Sequence, residues 1–236
     1  IYDGRCSQKV ILVMIVYKRK SKEGAEGDEA GGHEARRSRT RQALIEASLD
    51  LMAEDRTFSS LSLREVTKAA GVVPAAFYRH FRGMDSLGLE LVDESFRALR
   101  TRMREVRSTP LPVEQSIRTS MTAYVRYVRE QHRYFRFAIR EYFSGSTTTR
   151  LAIRNELRLF VSELATDLAL LVPDRRITSP DLQMIAQMVV NNMVMITEQV
   201  LELPPERHEL EADLIDQAAK QLRVMFLGVG QWNHSA

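Results

Sequence analysis

Downstream of Ser38, apolar residues recur at spacings of three and four with polar residues between them, the pattern of helices that bury one face. Leu44, Ala47, Ser48, Leu51 and Met52 form the first such face. The pattern breaks over 54–60 and resumes behind Ser62, which with Glu65 makes a capping-box start for a short helix over 63–70. Gly71 ends that helix. Pro74, whose missing N–H is not needed in a first turn, begins another over 74–81. After Gly83 a long amphipathic helix is predicted over 84–107, with Leu87, Leu91, Phe96, Leu99 and Met103 on its apolar side, and Pro110 and Pro112 beyond its end. Further helices are predicted over 113–131, 132–142, 147–171, 180–203 and 206–227, parted by Gly and Pro breakers. No run alternates as a strand would, and no segment repeats. The chain reads as all-α, with about nine helices.

The two short helices around Gly71 form a helix-turn-helix candidate. Glycine supplies the positive φ that such a turn needs, and Val66, Ala70, Val72 and Phe77 are the expected core between the helices. The second helix is short enough to be presented to a DNA major groove. Charge supports this placement. The net charge of +3 is small, but residues 36–82 hold nine basic and five acidic groups, whereas 83–236 hold 19 and 20 and 1–35 hold six of each. The positive excess therefore coincides with the helix-turn-helix, which points to a polyanion at one end of the molecule. Within 77–82, Phe77 and Phe81 are expected inward, and Tyr78, Arg79, His80 and Arg82 outward toward phosphates, with His80 a hydrogen-bond donor.

The stretch "LSLREVTKAAGVVPAAFYRHFRGMDSLGLELV" (61–92) resembles the DNA-binding signature of the TetR family of transcriptional repressors, and the resemblance covers roughly 43–91. It implies a three-helix DNA-binding domain over 36–83 and a ligand-binding and dimerisation domain over 84–236. The implied partner is double-stranded DNA with a palindromic operator, read by a homodimer. Carried over position by position, Tyr78 and His80 match phosphate contacts. Phe77 and Phe81 match core positions, and Val73, Pro74, Ala75 and Ala76 match the start of the recognition helix, where base-edge and phosphate contacts are made. Arg41, Ser62, Arg79 and Arg82 complete the DNA-facing set, and Arg36, Arg37 and Arg39 precede it as a basic arm. The chain departs from the family at Val73 and Ala76, where many members carry Ser or Thr, and at Met84, where many carry Lys. Such an apolar tip suits thymine methyl groups, with Arg79 and Arg82 on phosphates. Thr67 also replaces the alanine usual where the two helices cross.

Residues 57–66, Phe77-Tyr78-Arg79-His80-Phe81, Leu87-Gly88-Leu89 and Val92-Asp93-Glu94-Ser95 are similar to the FabR-like repressors of unsaturated fatty-acid synthesis, as are 135–141 followed by Ser144-Gly145. That subgroup implies long-chain acyl thioesters, on CoA or carrier protein, as effectors. Phe96, Met103, Met121, Tyr124, Phe135, Arg140, Met188, Asn191 and Asn192 are the candidate effector contacts; the aromatic residues and methionines are also readable as ordinary bundle core, and Asn191 and Asn192 as hydrogen-bonding groups of a dimer interface. Arg140 and Glu141 form a polar pair, either a surface ion pair or the mouth for a thioester headgroup. The last two helices are the implied dimer interface. The alternative reading is a TetR-type repressor of an efflux or catabolic operon that answers another hydrophobic small molecule.

Other classes fit poorly. The five histidines are scattered, with no metal-ligand spacing and no adjacent nucleophile, so no catalytic residue, metal or cofactor is assigned. The single Cys6 forbids an intrachain disulfide and fits a cytoplasmic protein. The longest apolar run, 10–17, is far short of the roughly 20 residues of a membrane span, and no membrane partner is expected. Residues 1–35 read as a disordered or non-native tail, with a Gly/Glu/Ala-rich linker over 21–35.

Overall fold

The computed structural model describes residues 30–53, 56–107, 113–171 and 177–229, and these hold nine α-helices, one short 3-10 turn and no strand. The helices are α1 (Ala30–Leu51), α2 (Leu63–Ala69), α3 (Pro74–Phe77), α4 (Met84–Arg107), α5 (Val113–Glu130), α6 (His132–Ser144), α7 (Thr147–Leu171), α8 (Ser179–Glu202) and α9 (His208–Val229), with the 3-10 turn at Phe58–Ser60. The chain divides into two compact units. One takes in 30–97 and 133–154, the other 98–132 and everything described from 155 onward.

The first unit carries the helix-turn-helix. Leu44, Ile45, Ala47, Ser48, Leu49 and Met52 bury one side of α1, against which α2 and α3 pack. Leu87, Leu91, Val92 and Phe96 from α4 and Phe135, Phe137 and Ala138 from α6 extend that core. In the second unit α5, α8 and α9 pack on one another. Ile117, Met121, Tyr124, Val125 and Val128 form the buried stripe of α5, and Leu182, Ile185, Ala186, Val189, Ile196 and Val200 that of α8. Arg129 ties the three helices together. It pairs with Glu211 of α9 at 3.2 Å and donates to the Leu203 carbonyl behind α8 at 2.9 Å.

Two boundaries differ from the sequence pattern by more than two residues. α1 starts at Ala30 rather than Ser38. Residues 30–35, expected in the tail, are thus helical, because an established helix propagates at one bond per residue even without an apolar face. Residues 1–29 lie outside the described residues. α3 ends at Phe77 rather than Phe81, because the His80 and Arg79 N–H groups turn to carbonyls three residues back, on Phe77 (2.9 Å) and Ala76 (3.2 Å), tightening the last turn.

Candidate nucleic-acid interface

The interface is built outward from α2. The Ser62 hydroxyl accepts the Glu65 N–H at 3.3 Å, and Glu65 Oε2 accepts the Ser62 N–H at 2.9 Å and its O–H at 2.8 Å, completing the capping box the sequence predicts. Arg56 adds a 3.0 Å ion pair to Glu65. The Ser62 bonds, side chain first, and then Arg56 hold the Glu65 carboxyl down to about 2. Ser62 is exposed, but its hydroxyl is engaged in the cap. At the other end of α2, Gly71 has φ +67°, its N–H bonds the Lys68 carbonyl, and the Val72 N–H bonds the Thr67 carbonyl. This is a Schellman turn, and it needs a residue without the left-handed penalty. Thr67 is buried, and its hydroxyl donates back to the carbonyls of Leu63 and Arg64, so it occupies the alanine position without an orphaned donor.

The turn delivers α3 with its tip bare. Val73 caps the helix without any side-chain hydrogen bond and is 67% exposed; Pro74 and Ala75 are exposed and Ala76 half-buried. Phe77 and Phe81 turn inward with ring centroids 5.5 Å apart. Tyr78, 63% exposed, stands edge-on to Phe77 at 5.8 Å, and Arg79 and Arg82 are exposed beside it. His80 is half-buried. Burial, followed by Arg37, Arg41 and Arg79, pushes its imidazole below the usual range.

Arg41 is placed differently from the other DNA-facing candidates. Its guanidinium pairs with Glu90 and, at 3.4 Å, with Glu94, both on α4, and lies over the Phe81 ring. The Glu90 hydrogen bond heads the causes that raise its pKa. The Tyr134 hydroxyl of α6 donates to the other Glu94 oxygen at 3.1 Å, and burial, then Glu94, raises that phenol. Arg41 therefore braces the back of the head. No local sequence pattern marks the ties among Arg41, Glu90, Glu94 and Tyr134, because the partners are remote in the chain. Arg36, Arg37 and Arg39 are exposed on α1.

Two family models match the chain, "Bacterial regulatory proteins, tetR family" over residues 44–91 and "Tetracyclin repressor-like, C-terminal domain" over 113–221. The chain is a TetR-family regulator. Members are DNA-binding transcription factors that respond to ligands, not enzymes. Solved structures share the fold. The fatty acid degradation regulator FadR from Bacillus halodurans is 15% identical, with 86% of this chain and 97% of that chain covered and a TM-score of 0.62. A TetR-family regulator from Streptomyces coelicolor is 23% identical (80% and 82%, 0.56), and reduced NemR of E. coli is 19% identical (79% and 96%, 0.55). At these identities the likeness is one of fold.

In this TetR-family regulator the candidate effector residues fall in both units. Phe96, Phe135 and Arg140 belong to the unit of the head. Met103, Met121, Tyr124, Met188, Asn191 and Asn192 belong to the other. Met121 and Tyr124 share the buried stripe of α5, and the Tyr124 hydroxyl meets that of Thr197 on α8 at 2.6 Å. Met188 and Asn191 do not join them. The stripe through Ile185, Val189 and Ile196 turns both outward, leaving Met188 49% exposed and Asn191 bonded to Gln187 at 2.8 Å. Asn192 sits between the two faces, with Nδ2 buried and without a hydrogen-bond partner. Arg140 does not pair with Glu141. It donates to the carbonyls of Met52 at 3.0 Å and Arg56 at 3.4 Å. Among the described residues no helix is long and apolar enough to cross a membrane.

Proposed function

We propose that the chain works as a homodimeric repressor of lipid genes, with a long-chain acyl thioester as effector. The observation that carries this reading is the similarity of 57–95 to FabR-like repressors, which extends past the DNA-facing residues into Leu87-Gly88-Leu89 and Val92-Asp93-Glu94-Ser95. Gly88 gives that motif a local reason, since a Cβ there would stand 2.8 Å from the Phe58 ring and from the Thr149 methyl. The Asn192 amide supports a polar anchor in the second unit, a buried N–H whose unmet bond suits a carbonyl oxygen of the effector. DNA contact rests with Tyr78, Arg79, His80 and Arg82 on phosphates and the Val73–Ala76 tip on bases.

Dimerisation is supported by Met184, Met188 and Met195, which share one exposed face of α8, and by the exposed Val224 and Leu227 of α9. A dimer places two short recognition helices one DNA turn apart, ~34–36 Å, on a palindrome. The effector acts by binding DNA-competent and DNA-incompetent forms unequally, with α4 carrying the change. Gel shifts on promoters of fatty-acid genes, with saturated and unsaturated acyl-CoA added separately, test the reading. Altered binding with either thioester is the expected result, and no effect of both removes the acyl assignment.

A further inference from the structure

Consecutive residues of α6 grip the chain that leads into the helix-turn-helix, one with a donor and the other with an acceptor. Arg140 Nη1 donates to the carbonyls of Met52 at 3.0 Å and Arg56 at 3.4 Å. Glu141 Oε1 accepts the backbone N–H of Phe58 at 3.2 Å, while Oε2 accepts the Thr149 hydroxyl at 2.8 Å. The Met52 and Arg56 carbonyls and the Phe58 N–H are all main chain, within the short passage between α1 and α2. Glu141 is 0% exposed. A buried carboxyl group is costly unless its oxygens are bonded, and here both are.

The surroundings are fitted to this contact. A Cβ on Gly145 would collide with Glu141 Oε2, and one on Gly88 would press into the Phe58 ring. The Phe58 ring meets Phe137, four residues before Glu141 on α6, edge to face at 5.9 Å. Phe58 is thus held by its amide, by its ring and by the absence of a side chain on α4. None of these groups belongs to the DNA-facing surface. An apolar residue of similar size would fill the Glu141 site at less cost in desolvation but would not fix the Phe58 amide in one place.

We propose that Arg140 and Glu141 are positioning residues for DNA binding, a two-pronged clamp through which α6 sets the orientation of the recognition helix. The clamp acts on sequence-selective binding, because base readout needs a fixed helix while non-selective binding needs only the positive charge of the head.

The test uses the full chain and duplexes that the wild-type protein selects from a random pool, with a scrambled duplex as reference. Arg140→Met, Glu141→Leu and Glu141→Gln are compared well below their melting temperatures. Glu141→Leu and Arg140→Met are expected to lose about tenfold or more on the selected duplex, the scale of one unmade buried hydrogen bond, with the scrambled duplex bound as before. Glu141→Gln keeps an acceptor for the Phe58 amide and is expected to restore most of the selectivity. Hydrogen exchange at the Phe58 amide should quicken in the Leu variant and stay near wild type in the Gln variant. If Glu141→Leu does not fold, Arg140→Met and Thr149→Val carry the comparison. Lower melting temperatures with an unchanged ratio of selected to scrambled affinity would overturn the proposal, reducing both residues to stabilising contacts. A wild-type chain that selects no duplex would overturn it as well, and the failure would then lie with DNA reading itself.

Discussion

The guanidinium of Arg41 lies over the ring of Phe81, 6.0 Å from its centroid, and pairs with Glu90 and Glu94. One cation thus joins α1, the end of the recognition segment and α4. Arg41→Ala should lower stability by about 1 kcal/mol, since the pair is partly exposed and solvent-screened. If bracing is its whole role, the slope of log K against log salt stays at the wild-type value while the melting temperature falls. A slope reduced by about 1 would instead place Arg41 on a phosphate.

Tyr78 and Arg82 present the opposite case, exposed residues with little structural duty. Tyr78→Phe should leave the melting temperature unchanged and weaken operator binding several-fold, on the scale of about 1 kcal/mol for a lost hydrogen bond. Arg82→Ala should weaken binding to all sequences alike and reduce the salt slope by about 1. Titrations at several salt concentrations separate the two, because the neutral phenol releases no counterion. Unchanged affinity and slope in both variants would remove this face from the DNA contact.

Much of this head is legible in the chain because its signals are local. Gly71 is required by a positive φ one residue wide, the Ser62–Glu65 box closes within three residues, and the Phe77/Phe81 spacing sorts inward from outward. α4 and α7 match their predicted spans, since Gly83, the prolines at 110 and 112, and Gly145 leave little choice of boundary. The ties of Arg41 to α4 and of Arg140 to the Met52 and Arg56 carbonyls are not legible, because each joins residues that only the tertiary fold brings together. Asn191 and Asn192 show the same limit. Their amides announce a polar requirement in an apolar helix, but which of the two faces inward depends on the neighbours of α8, and only Asn192 has a buried nitrogen.

The outward turn of Met188 makes it a probe of assembly rather than of effector binding. Met184, Met188 and Met195 share one face of α8, four and seven residues apart, and are all more than 40% exposed. Met188→Asp places a charge in the middle of that face while leaving the buried stripe of Ile185, Val189 and Ile196 untouched. The expected outcome is a folded chain of unchanged helicity that sediments as a monomer at concentrations where the wild type is a dimer. Binding to a palindromic operator should fall much more than binding to a half-site, since only the former needs two heads. A variant that remains dimeric would move the interface away from this stripe.

The Tyr124–Thr197 contact supplies the pH test. Tyr124 is 6% exposed and its hydroxyl lies 2.6 Å from that of Thr197, so burial raises its phenol to about 12 although the Thr197 bond opposes the shift. In the unfolded chain the phenol titrates near its ordinary value of about 10. Its folded pKa is the higher one, so stability is fully present below pH ~10 and is lost as the pH rises toward ~12, by about 1.4 kcal/mol per unit across that window. Tyr134, raised in the same direction, adds to the alkaline loss but is present in both proteins when Tyr124→Phe is compared with wild type. At pH 7 the Phe variant should be less stable by about 1 kcal/mol, because the bond to the Thr197 hydroxyl is lost while Thr197 keeps its own donation to the Met193 carbonyl at 2.7 Å. By pH ~11 the order should reverse, since the variant has no phenol to ionise on unfolding. Chemical denaturation at pH 7, 9 and 11 follows the crossover. A constant gap between the two proteins across that range would show that Tyr124 is not buried as described.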